Sequence, residues 1–205
     1  MSEKNSQVKK MAVMAMLVAL SIALVIPIHF PIFLPIAFME YDPADIPILI
    51  GTFAYGPAAG LVLTVISSVI QGLTVSAHSG IMGIAMHIFA TSTLVLTAGL
   101  IYKYRHTKRG AILSLVCGTL AMTCAMLVFN HFITPYFITP DIRDTAAVAA
   151  NRAYVDTLLF PFIAPFNLIK AGINSLVTFL VYKTISRHII HGEVWQKQKK
   201  AQGIK

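Results

Sequence analysis

Long apolar runs separated by polar or Pro/Gly breaks set the plan of this chain. The pattern predicts helices at about residues 9–29, 43–54, 57–75, 80–102, 110–134 and 156–187. Crossing the hydrocarbon core as a helix takes roughly 20 apolar residues. Only the second run, entered through "YDPADIP", falls well short of that. It counts as a full span only with its ends buried among its neighbours. The expected fold is therefore an all-α integral membrane bundle of six helices forming one membrane domain over residues 1–205. The opening "MSEKNSQVKK" is polar and basic, and the apolar run after it has no cleavage site of the usual kind. It reads as a retained first span.

Composition agrees with this plan. The chain is 57% hydrophobic and 12% charged, against about 25% charged for soluble domains. Mean hydropathy is +0.75. Six or so spans leave no room for a large soluble domain. Cys117 and Cys124 lie seven apart on one predicted helix face. A rise of about 1.5 Å per residue separates them by about 10 Å, too far for a disulfide.

The net charge of +8 is first of all a topology signal. With a cytoplasmic N-terminus, the inner segments hold Lys4, Lys9 and Lys10, the four bases from Lys103 to Arg109, and six from Lys183 onward. That is 13 of the 16 Lys and Arg. Arg143 and Arg152 stay outside, and Lys170 lies within a span. Six of the eight acids, Glu40, Asp42, Asp45, Asp141, Asp144 and Asp156, fall on the outer side. The positive-inside rule accepts six spans with both termini cytoplasmic. Nucleic-acid binding needs a basic stripe interleaved with aromatics, which the tail "KQKK" alone does not supply.

The apolar spans also carry polar stripes. Asn167, Lys170, Asn174 and Thr178 share one face of the sixth helix, at about 100° per residue. Thr119, Thr123 and Asn130 do so on the fifth, Ser67, Gln71 and Thr74 on the third, His87 and Thr91 on the fourth. Four stripes suggest a shared interior. Ser and Thr at such positions ordinarily bond across helices for about 0.6 kcal/mol each. Lys170 is different, because a lysine at mid-span costs roughly 2.5–3.5 kcal/mol. No acid is near it in sequence. Its partner comes from elsewhere in the fold or from a ligand, or it snorkels outward, and a ligand site is preferred over a structural role.

Two further stretches are informative. In "MEYDPADIPILIGTFAYGPAAG", Asp42-Pro43 reads as a helix start with Asp42 as cap, which leaves Glu40 free for a ligand. The spacing of "GPAAG" permits a close helix contact. In "AVMAMLVALSIAL", Ala12, Ala15, Ala19 and Ala23 form a small-residue face. Such a face packs inside the bundle or docks a partner, and the spacing alone leaves both open. His29, His78 and His131 fall near membrane edges. His188 and His191 lie three apart in the tail, with no Cys or acid to complete a zinc set. The sequence has no Walker motif, nucleophile elbow or HExxH, and no convergent acid/base pair, so it reads as neither an ATPase nor another enzyme, with no metal site.

"EYDPADIPILIGTFAYGPAAG" and "PFNLIKAGINSLVTFLVYK" together resemble the riboflavin-specific substrate-binding (S) components of energy-coupling factor (ECF) transporters, over about residues 9–187. The resemblance implies a multi-pass cell-membrane protein that captures a vitamin at the outer face with high affinity. It also implies work with a transmembrane coupling subunit and two ATPase subunits. Carried over by matching position, Asn130, Asn167 and Lys170 bond the polar edge of the isoalloxazine ring, Glu40 faces the ribityl chain, and Ala15 and Ala19 meet the coupling subunit. Asn174 and His87 join the candidate ligand set from the stripes. Riboflavin is the transported ligand, with no cofactor. The chain departs from the family pattern at Ser67-Ser68, where a Lys-Asn pair is expected, and at His87, where Asn is expected. A related flavin, or another heterocyclic vitamin or precursor, is therefore the alternative ligand. A non-transport membrane protein is the remaining reading, and it leaves Lys170 unexplained.

Overall fold

The computed structural model describes residues 3–189. Helix α1 runs Glu3–Val25 and stops two residues before Pro27, whose ring disfavours helical geometry in the residue ahead of it. A short outer excursion follows. Strands β1 (Phe30–Pro31) and β2 (Glu40–Tyr41) pair antiparallel, Phe30 opposite Tyr41. A 3₁₀ turn at Leu34–Ile36 closes the loop between them. Helices α2 (Asp45–Tyr55) and α3 (Pro57–Leu73) come next. They are joined by Gly56 at φ 91°, a conformation glycine adopts without the Cβ penalty. Then come α4 (Gly80–Tyr104) and α5 (Lys108–Phe132), the latter capped by Thr107, whose hydroxyl accepts from the Gly110 N–H at 3.0 Å.

Four stretches are long and apolar enough to cross a membrane: Asn5–Val25, Ala77–Tyr104, Lys108–Phe132 and Thr145–Tyr182. Their outer faces carry Met16, Leu20, Leu100, Val116, Leu120, Leu176 and Leu180 exposed, as lipid contact requires. The chain is an all-α, multi-pass membrane protein apart from the two-residue strands.

Helix α2 is short because it is central. It packs against α1, α3, α4 and α8, and every residue from Asp45 to Phe53 is buried. This is the burial that the sequence demanded of so short a run. Close approach of α2 and α3 needs Gly60, since a Cβ there would lie 2.2 Å from Thr52 Oγ1. Ile48, Leu49, Leu63, Leu94, Met122 and Ile163 fill the core between the helices.

The segment after α5 differs from expectation. The sequence suggested an outer loop and then one helix from about 156. Instead α6 (Thr134–Ile138) and α7 (Thr145–Leu158) occupy the stretch. Asp144 caps α7, accepting from the Ala146 and Ala147 N–H groups at 3.0 Å each. A π turn at Leu159–Ile163 then leads directly into α8 (Ala164–Ile189). Pro161 sits in that turn. Its missing N–H removes an α-helical bond, and such sites are where π bulges form. His191 and the lysines from Lys197 onward lie outside the described residues.

Candidate functional site

The loop before α2 turns inward. Proline after Asp42 keeps that residue out of the helical region. Its Oδ1 accepts from the Ala44 N–H at 3.0 Å, a turn in the loop ahead of α2, whose cap position is Ala44 with no side-chain capping bond. The reading of Asp42 as a helix cap is corrected. Its other oxygen, Oδ2, accepts from Lys170 Nζ at 2.6 Å, and both side chains are buried. Lys170 therefore does not snorkel. Its partner is an acid 128 residues away in sequence. Gln71 Nε2 on α3 donates to the same Oδ2 at 3.4 Å. Burial alone would raise the Asp42 carboxyl, which lies in the loop outside the helical spans. The adjacent Lys170 ammonium and the neighbouring His87 together outweigh that and hold the group below the usual carboxylate range.

A second layer fixes this pair. Asn174, one turn beyond Lys170 on α8, donates through Nδ2 to the Asp42 carbonyl at 3.0 Å and to Asp45 Oδ2 at 3.0 Å. Its own oxygen accepts from Tyr41 OH at 3.1 Å. Thr91 on α4 donates to Asp45 Oδ1 at 2.7 Å, and Ser21 on α1 donates to the Ala44 carbonyl at 2.7 Å. Four helices thus tie down one loop. Each bond satisfies a polar group that would be costly to leave unpaired in the interior.

Above the pair opens a cavity of about 100 Å³. Phe38, Met39, Ile84, Met86, Ala90, Met122, Met126 and Phe166 supply apolar wall, while Asp42, Gln71, His87, Asn167 and Lys170 form a polar floor. Asn167 Nδ2 donates to the Ile163 carbonyl at 2.8 Å. Its Oδ1, Gln71 Oε1 and His87 Nε2 are buried without a hydrogen-bond partner. A site with an ammonium, a carboxylate and unpaired acceptors beneath apolar walls suits a flat heterocycle with one polar edge.

The expected site residues separate into groups. Lys170, Asn167, His87 and Glu40 line the cavity, Glu40 half-buried at its mouth and 3.8 Å from His78 Nε2. Asn174 lies behind the floor, in the supporting layer. Asn130 lies off the cavity wall. Its Nδ2 donates to the Met126 carbonyl at 2.8 Å, and its Oδ1 accepts from Thr134 Oγ1 at 2.9 Å. Ala12, Ala15, Ala19 and Ala23 are exposed on α1. Gln71, from the polar stripe of α3, and Ser68, where the chain departs from the family pattern, both line the cavity. The hydroxyl of Thr91 does bridge helices, and Thr119 lies 3.3 Å from Ser175 across the α5–α8 contact. No group of three metal-ligating side chains occurs among the described residues.

The family described as "ECF transporter, substrate-specific component" matches residues 9–182. The chain is 27% identical to the riboflavin transporter FmnP of Bacillus subtilis over 182 residues, covering 86% of this chain and 91% of that one. It is 29% identical to the riboflavin transporter RibU of Staphylococcus aureus, covering 74% of this chain and 77% of that one. A solved structure, described as "Structure and mechanism of the S component of a bacterial ECF transporter", superposes with a TM-score of 0.71 at 25% identity. It covers 88% of this chain and 97% of that one.

Proposed function

The chain belongs to the family of substrate-specific components of ECF transporters, and on that premise we propose that its vitamin-like ligand is riboflavin or a close flavin. The observation that carries this reading is the cavity. Its apolar walls match a benzenoid end, and its floor offers the Lys170 ammonium and the Asn167 amide to a polar pyrimidine-like edge. The names borne by the relatives point the same way. Glu40 at the mouth faces a polyhydroxyl chain as an acceptor. Asn130 steadies the outer end of α5 beside the site.

The fold enters the membrane with six spans, α2 and α3 completing the four long ones, and both ends in the cytoplasm. The mouth then faces outward. The exposed alanines of α1 meet a transmembrane coupling subunit, which carries two ATPase subunits. This chain binds, and ATP hydrolysis elsewhere drives release.

The test is direct. Purified protein, titrated with riboflavin, quenches flavin fluorescence to a 1:1 endpoint. Unlabelled riboflavin displaces the probe, and chemically unrelated vitamins such as thiamine and biotin do not. Absence of quenching, together with tight binding of a non-flavin heterocycle, refutes the flavin assignment and leaves the family role standing.

A further inference from the structure

The three unpartnered atoms on the cavity floor each have a determined polarity. Gln71 turns its Nε2 to the Asp42 carboxylate, which can only accept, so Oε1 is the atom left over. Asn167 turns its Nδ2 to a backbone carbonyl, so Oδ1 is left over. His87 is settled by a longer chain. Ser68 Oγ lies 2.6 Å from the Thr64 carbonyl, and a carbonyl only accepts, so the hydroxyl proton goes there. Oγ then accepts from His87 Nδ1, 2.7 Å away, and Nδ1 must carry a hydrogen. In the neutral ring the other nitrogen is a bare acceptor. That nitrogen, Nε2, is 3.9 Å from Asp42 Oδ1, outside hydrogen-bonding range.

We propose that His87 is a specificity-determining residue whose Nε2 accepts a hydrogen bond from a ring N–H or hydroxyl of the bound flavin. Ser68 is the positioning residue that holds the ring in the required tautomer. The ligand half of this inference rests on the flavin reading above. The floor then discriminates by donors. A ligand edge bearing only acceptors strands Gln71 Oε1, Asn167 Oδ1 and His87 Nε2 together. Sites built around such groups reject ligands that lack the matching donor far more strongly than apolar pockets reject a missing methyl. The charged and titratable groups around His87 are Asp42 in the loop before α2, Lys170 on α8 behind it, and Glu40 and His29 on the same cavity wall. Helix α3 faces it with the uncharged Ser68 and Gln71, and α5 with Met122 and Met126.

Two measurements test this. First, ring-nitrogen NMR shifts of histidine-labelled, ligand-free protein identify the His87 signals as those lost in His87→Gln. A protonated Nδ1 with a bare Nε2 is expected near neutral pH, with tautomer mixing in Ser68→Ala. An Nε2–H or doubly protonated ring overturns the proposal. Second, riboflavin, N3-methylriboflavin and lumiflavin are titrated into wild type, His87→Phe and His87→Gln. His87→Phe is expected to lower riboflavin affinity about tenfold, while His87→Gln, which keeps an acceptor, recovers most of the loss. The effect of His87→Phe disappears for N3-methylriboflavin if the donor is the ring N–H, and for lumiflavin if it is a ribityl hydroxyl. An equal loss for all three ligands overturns the ligand contact. Failure of wild type to bind any flavin removes the proposed function and the ligand contact together, and the NMR shifts still decide the tautomer.

Discussion

Replacing Lys170 by Met separates what the buried pair does for the fold from what it does for the ligand. The substitution keeps the stem and removes the ammonium. Asp42 then sits buried, with Oδ2 left only the 3.4 Å contact from Gln71 and Oδ1 the Ala44 N–H. Breaking one side of a buried pair typically costs about 3–5 kcal/mol, because the other charge is stranded. Two donors remain on Asp42, which places the expected loss near the lower end, about 3 kcal/mol. At about 2–4 °C per kcal/mol for a chain of this size, the melting temperature of the ligand-free protein falls by roughly 6–12 °C. The double variant Asp42→Asn/Lys170→Met removes both charges. It should recover most of that loss, since neutral replacements of buried pairs are often tolerated. Riboflavin affinity should fall by roughly ten- to a hundredfold in both, because a charged hydrogen bond to the ligand contributes about 1.5–3 kcal/mol. The deficit of the single variant should shrink as pH falls. Burial raises the stranded carboxyl once Lys170 is gone, so acid neutralises it while the protein is still folded. Thermal melts of ligand-free protein in nanodiscs and fluorescence titrations on the same samples read both quantities. A single variant as stable as wild type, or a double variant no better than the single, would show that the ion pair does not hold this floor together.

Other substitutions follow from the same geometry. Asn174→Leu leaves Asp45 with only Thr91 and unties the Asp42 carbonyl. It should destabilise the protein by about 2–4 kcal/mol in a thermal melt and weaken flavin binding without touching the ligand. Ala19→Leu on the exposed face of α1 should leave flavin titrations unchanged and abolish cellular uptake; parallel loss of both would place that face in the bundle's own packing. A single cysteine at Thr145 should react with an impermeant thiol reagent added to intact cells lacking an outer barrier, and one at Thr107 should be protected. Reversal of that pattern would invert the proposed orientation.

The apolar runs announce α1, α3, α4 and α5 clearly, because lipid-facing helices need continuous hydrophobic length. The same signal misses α7. "TAAVAANRAYVDTL" is alanine-rich and carries polar Asn151, Arg152 and Asp156 in its interior, so its clearest advance notice was the cap at Asp144. Lys170 stood out because its burial needs compensation, yet nothing local could say that Asp42 supplies it. The Asp-Pro pair reads as a helix start, and that reading concealed the use of the same carboxylate as the partner of Lys170. A count of acids helps here. Between residues 4 and 140 the chain has only Glu40, Asp42 and Asp45, and a buried lysine must draw on so short a supply. Gln71 was visible on a stripe, but only the third dimension distinguishes a side chain bonded to a neighbouring helix from one facing a cavity. Asn130 illustrates the converse. It sits on such a stripe, and its amide is occupied by its own helix and by Thr134.

The π turn at Leu159–Ile163 sets the rotational phase between two halves of the last helix. On its N-terminal side, Asp156 meets His131 of α5 at 2.5 Å. On its C-terminal side, Asn167, Lys170 and Asn174 address the cavity floor and the loop before α2. A π turn accommodates one residue more than an α turn. Deleting one residue within it would let the chain close as an uninterrupted α-helix and leave everything downstream in nearly the same phase, because the π turn already absorbs one extra residue. The clasp at Asp156 and the cavity floor could then both still be satisfied. A single-residue deletion within these five residues should therefore spare binding.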